Sequence, residues 1–94
     1  MALYIRTNNA VANVTPQNSV SFTLEELQRM VGGLIEVVHL ETDELMICNE
    51  EGKILYLPYN QAATRMARTK GHDPHDRIMG NVVICSAEEM GERG

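Results

Sequence analysis

Two imidazoles and two carboxylates fall together at His72-Asp73-Pro74-His75-Asp76, and His72, His75 and Asp76 are the residue types that hold a divalent metal. Pro74 argues against the regular helix that would align the two histidines, and His39 could complete a ligand set only through space. The plainer account is a polar surface loop in which Asp73 or Asp76 caps a turn. A His–Asp acid/base pair is also conceivable here, but no nucleophile accompanies it. A small metal-dependent enzyme is therefore a minority reading. The expectation is no cofactor and no catalytic residues.

A second candidate site lies just upstream. Asn60 precedes an alanine-rich stretch, so its backbone N–H and that of Gln61, together with Thr64 and Arg65 one turn later, could receive a phosphate or carboxylate. Arg68, Lys70 and Arg77 make the same region the most basic of an acidic chain. The expected ligand residues are Asn60, Gln61, Thr64, Arg65 and Arg68, and the ligand is a small anionic or nucleotide-like molecule. The competing account is that Asn60 simply caps a helix whose arginines face water.

The third candidate is opposite in sign. Glu36, Glu41, Asp43, Glu44, Glu50 and Glu51 lie in a stretch without Lys or Arg. Glu41, Asp43 and Glu44 in particular could imitate a phosphate rail and occupy a host DNA-binding protein, or could meet the basic region of a second copy. Such acidic turns also serve simply to keep a protein soluble.

Composition bounds these options. The chain has 94 residues, enough for a single domain with one modest core, and a homodimer or higher homo-oligomer would help to stabilise it. A formal net charge of −5 and the absence of Trp disfavour direct nucleic-acid binding, which needs cationic and stacking surfaces. No run approaches the roughly 18 to 20 apolar residues of a membrane span, and Met1 to Arg6 is too short for a secretory leader, so the expected location is cytoplasmic. Cys48 and Cys85 each sit in an apolar run and read as reduced core thiols, with a cross-link between adjacent strands as the alternative. No phosphate-binding glycine loop, Ser/His/Asp arrangement or paired CxxC signature is present.

The elements that must position these residues are legible in outline. Phe22-Thr23-Leu24-Glu25-Glu26-Leu27 carries a capping box between Thr23 and Glu26 and a staple between Phe22 and Leu27, so a helix should run from Leu24 to Val31, burying Leu24, Leu27, Met30 and Val31. Gly32-Gly33 supplies its exit. Strands are expected at Ala2 to Arg6, at Val11 to Val14 as an edge, at Leu34 to Leu40 in the centre, at Leu45 to Asn49 and at Lys53 to Leu57, the last three forming a meander. Pro58 closes that meander, Asn60 caps a second helix from Gln61 to about Thr69, and Ala62, Ala63, Met66 and Ala67 give it a face for close packing. Ile78 to Cys85 is a last strand, Ser86 to Glu89 repeats the capping-box pattern, and Gly91 to Gly94 should fray.

The fold class that follows is α+β: a small antiparallel sheet, made of the central three-stranded meander plus N- and C-terminal strands, with two short helices on one face. Residues 1–94 form a single domain, with strand and loop over 1–20, the core over 21–86 and a helical turn and tail over 87–94.

Four segments in succession carry a likeness. They are Leu27-Gln28-Arg29-Met30-Val31-Gly32-Gly33-Leu34, Cys48-Asn49-Glu50-Glu51-Gly52-Lys53, Leu57-Pro58-Tyr59-Asn60-Gln61-Ala62-Ala63-Thr64 and Asp76-Arg77-Ile78-Met79-Gly80-Asn81-Val82. In this order the chain resembles a family of small uncharacterised proteins of phages, plasmids and other mobile elements. Gln61 stands where a basic residue is expected in relatives, and Gly71 to His75 reads as an insertion. The resemblance implies a genomic setting and no reaction. The expected function is a non-enzymatic accessory protein that binds a small anionic ligand or a protein partner through the start of its second helix.

Overall fold

The computed structural model describes residues 2–91, and the expectation of a fraying tail falls, from residue 92 onward, outside them. Its elements in chain order are β1 (Ala2–Ile5), β2 (Val11–Val14), α1 (Leu24–Val31), β3 (Ile35–His39), β4 (Glu44–Asn49), α2 (Gln61–Thr69) and β5 (Val82–Ser86). All strand pairs are antiparallel and the sheet order is β2-β1-β5-β4-β3. The α+β class with a five-stranded antiparallel sheet and two helices stands as expected. No helix among the described residues is long and apolar enough to cross a membrane.

Both helices begin where their caps dictate. At α1 the Thr23 hydroxyl accepts the Glu26 N–H at 3.1 Å and the Glu26 carboxylate accepts the Thr23 N–H at 2.9 Å. Backbone N–H groups of Thr23 and Gln17 donating to Glu26 hold its carboxyl below the usual range. Phe22 and Leu27 are buried in one cluster, as the staple requires, and Gly32 ends the helix in the left-handed region at φ 82°. Leu24, expected in the core, is 56% exposed, because the buried stripe runs through Leu27 and Val31 alone with Met30 beside it.

The two helices lie on opposite faces of the sheet, which corrects the one-face expectation. Along β4, Leu45 and Ile47 join the α1 cluster while Met46 and Cys48 join the α2 cluster; along β5, Val83 and Cys85 join the first and Val82 and Ile84 the second. Uninterrupted apolar runs at Leu45–Cys48 and Val82–Cys85 leave two faces to be covered, and one helix covers each. Ala2 and Ile5 are fully buried as well, so β1 belongs to the core although it precedes residue 21.

Two strand assignments also change. Residues 53–57 form no strand: the Leu55 N–H donates to the Glu51 carbonyl at 2.8 Å and the Leu57 N–H to the Gly52 carbonyl at 3.0 Å, so this segment satisfies its backbone locally. The place beside β4 that the meander reserved for it is taken by β5, which α2 returns to the middle of the sheet. Consequently β3, expected in the centre, is an edge strand.

Cys48 and Cys85 are buried free thiols. Leu45 is the residue opposite Cys85, so Cys48 lies three positions farther along β4 and on the other face, a register that rules out the cross-link. Ser86 and Glu89 make the reciprocal capping bonds, Ser86 N–H to carboxylate at 3.0 Å and Glu89 N–H to hydroxyl at 3.1 Å, on a turn rather than a helix.

Candidate functional site

The entrance of α2 is an internal knot. Asn60 is 0% exposed; its Oδ1 accepts the Ala63 N–H at 2.9 Å, while Nδ2 donates to the Ile5 carbonyl at 3.0 Å and to the Gly80 carbonyl at 2.9 Å. Thr64, 1% exposed, donates its hydroxyl to the Asn60 carbonyl at 2.8 Å and accepts the Ile78 N–H at 3.0 Å. The Asn60 N–H is itself held by the Ile78 carbonyl at 2.8 Å. One buried asparagine thus ties β1, α2 and the approach to β5 together, with no donor left for an anion.

Gln61, Arg65 and Arg68 lie on the exposed side of α2, spaced so that they form one stripe on the helix exterior. The structure therefore divides the expected anion-binding set: the arginines and Gln61 share a surface, and Asn60 and Thr64 face inward. The small Ala63 and Ala67 on the buried side let α2 settle closely on Ile5, Met46, Val82 and Ile84.

The acidic stretch is likewise divided. Glu41, Asp43 and Glu44 surround the β3–β4 turn, while Glu50 and Glu51 follow the far end of β4, about 17 Å away along a six-residue strand. Lys70 reaches Glu44 at 2.5 Å, and this hydrogen bond is the main reason the Glu44 carboxyl lies below its usual range. The Glu41 N–H donates to the Lys70 carbonyl at 2.9 Å, so this turn holds the end of α2. The acidic residues do not form one continuous rail.

What the structure does assemble is a recess of about 190 Å³ between the β3–β4 edge, the turn after β4 and the segment leading to β5. Asp76 organises one wall: its Oδ1 meets Lys53 Nζ at 2.5 Å and its Oδ2 meets His72 Nε2 at 2.7 Å. Burial pushes the Asp76 carboxyl up, but the hydrogen bonds from Lys53 and His72 outweigh it and hold the group below the usual carboxylate range; the same contact raises the Lys53 ammonium. His72 and Asp76 from the sequence cluster do come together, whereas His75 engages Asp73 through its backbone N–H at 2.9 Å. Among the described residues no group of three or more His, Cys, Asp and Glu side chains is arranged to hold a metal ion. Cys48, itself buried, also lines the recess. Burial first, and the charges of Glu36 and Asp76 after it, push its thiol up to about 12, and it points its proton at the Glu36 carbonyl, Sγ to O 3.8 Å. A thiol so protonated is no nucleophile at neutral pH.

Beside the recess stands an apolar crest. Ile54, Leu55 and Tyr56 are 74%, 54% and 88% exposed, and Tyr59 nearby lies under the Arg77 guanidinium at 5.5 Å. Tyr56 has a φ of 54°, an uncommon left-handed conformation for a bulky side chain. The base of the crest is firmly seated. A Cβ at Gly52 would meet the Met79 carbonyl at 2.9 Å, so only glycine allows this approach, and the Gly80 N–H donates to the Pro58 carbonyl at 2.8 Å.

Sequence reading missed the crest because Lys53 to Leu57 has the composition of a strand, and it missed Lys53 and Cys48 because their neighbours are distant in sequence. The one usable signal was Pro58, which leaves Ile54-Leu55-Tyr56 little room as a ladder member. No curated protein and no solved structure matches the chain. Residues 1–93, which take in every element of this architecture, match the family described as Domain of unknown function (DUF3846), and the chain belongs to that family.

Proposed function

We propose that this chain is a non-enzymatic recognition module whose partner is another protein, bound on the face that carries the 53–59 crest. The observation behind the reading is the presentation of Ile54, Leu55 and Tyr56 to water on a turn pinned from below by Gly52 and by the 79–80 backbone. Contiguous apolar surface held in a defined geometry marks an interaction site, since the same residues on a free loop could fold inward. The left-handed Tyr56 supports the same reading: such strain, about 1–3 kcal/mol, concentrates at binding sites. An accessory role in a mobile genetic element accords with the likeness noted in the four motif segments.

Recognition rather than catalysis is favoured by the protonated Cys48 thiol and by the engagement of Asp76 with Lys53 as well as His72. The entrance of α2, where the side-chain polar atoms of Asn60 and Thr64 are already paired, is left as architecture in this reading. Glu41, Asp43 and Glu44 stand at the other end of β4 from the crest and have no part in this reading.

A photoreactive residue at position 56, introduced into the full chain in its host cell, tests the proposal. A discrete covalent adduct with one protein, lost when Ile54→Ser and Leu55→Ser are combined, is the expected result. Quenching by water with no protein adduct overturns it.

A further inference from the structure

The recess beneath the crest carries charges that its own contacts do not use. Lys53, His72 and Asp76 satisfy one another, while Glu36, Glu50 and Arg77, all exposed to water, line the same space without an ion-pair partner among the described residues, Glu36 acting on Lys53 only through its field. Among the described residues the Arg77 guanidinium engages the face of the Tyr59 ring. Glu36 enters from β3, where it is the cross-strand neighbour of Cys48, Glu50 follows β4, and Arg77 precedes β5, so separate parts of the chain converge there. Between the charges the lining is apolar, made by Val38, Ile78 and Met79.

A lone anion in this space would meet the carboxylates of Glu36 and Glu50, and a lone cation would meet the Arg77 guanidinium. A molecule bearing both charges on neighbouring atoms satisfies both sides. A recess of about 190 Å³ has room for a small amino acid.

We propose that this recess binds a small free α-amino acid: its ammonium group is held by Glu36 and Glu50, its carboxylate by Arg77, and a short apolar side chain rests against Val38, Ile78 and Met79. A convergent set of polar groups around an apolar floor is the usual form of a small-molecule site. Lys53 and His72, both fixed on Asp76, keep the wall beside Arg77 in place. Ile54, Leu55 and Tyr56 are not part of the lining, so this site stands or falls independently of docking at the crest.

Titration calorimetry of the full chain against the common L-amino acids tests the assignment, with butylamine and butyrate as single-charge probes. Saturable heat is expected with at least one small apolar amino acid and with neither probe. Glu36→Gln and Arg77→Gln should each weaken binding by about tenfold to a hundredfold, the loss expected for one charged hydrogen bond. Circular dichroism checks that each variant is folded, and Glu50→Gln, on an exposed turn, replaces Glu36→Gln if that variant is not. No saturable heat with any amino acid, equal binding of either single-charge probe, or folded variants that bind like the wild type would overturn the assignment.

Discussion

The start of α2 and the turn that follows β4 are only a few residues apart, yet they treat their functional groups in opposite ways. At Asn60 and Thr64, polar side chains are withdrawn from water and occupied by backbone partners from β1, α2 and the segment before β5. At Ile54 to Tyr56, apolar side chains are pushed into water, and nearby Glu36, Glu50 and Arg77 lack ion-pair partners among the described residues. A polar group with its hydrogen bonds satisfied internally serves the fold; an apolar group held in water by a rigid base is available to something else. The residue types alone suggest the reverse assignment, since asparagine, threonine and arginine look like a binding site and Ile-Leu-Tyr looks like a core strand.

The contrast can be broken most directly at Asn60. Asn60→Ala removes a helix cap and leaves the buried Ile5 and Gly80 carbonyls without their donor, so unfolding in urea should show a loss of about 3–5 kcal/mol. A loss below about 1 kcal/mol would mean that the knot is not what secures α2.

A smaller effect is expected from the Lys53–Asp76–His72 group, which belongs partly to each region. Asp76 is depressed in the fold, so its contribution is present above the ordinary aspartate value of about 3.8 and disappears as pH falls through its lowered value. Lys53 is raised, so its contribution is complete below the ordinary lysine value of about 10.5 and is lost as pH rises through the higher one. Lys53 is largely exposed and solvent screens the pair, which limits the effect to about 1 kcal/mol or less. The protection of amides over residues 72–76, measured relative to their intrinsic exchange rates at each pH, should accordingly fall at both extremes and stay flat between them. A loss of protection near neutrality would show that this wall is held by something other than the ion pair.

The smallest effect belongs to the crest. Ile54→Ser combined with Leu55→Ser should change the unfolding free energy by no more than about 0.5 kcal/mol, because neither side chain is buried. A large loss would reassign the crest from recognition to stability.

Local signals in the sequence were decisive where a feature is settled within one turn of chain. The Thr23–Glu26 box, the Gly32 exit, the Asn60 cap and the bounds of both helices needed only residues a few positions apart. Sheet order and the recess were not legible in the same way. Ile54 to Tyr56 satisfies the composition of a strand, and only the pairing of Met46 with Ile84 and Ile47 with Val83 decides that β5 lies beside β4 instead. The continuous apolar runs in β4 and β5 did signal burial on two sides, which the one-face expectation overlooked. Asp76 was visible as a candidate, but its partner Lys53 is 23 positions away and could be identified only in space.

The insertion of β5 between β1 and β4 dictates the timing of assembly. Until Val82 to Ser86 has left the ribosome, β1–β2 and β3–β4 can exist only as two separate ribbons with bare inner margins, and neither helix has a complete surface to rest on. Closure of the sheet therefore waits for the last strand of the chain. A chain terminated just before Val82 would lose far more than one strand, because it would expose two adhesive borders at once.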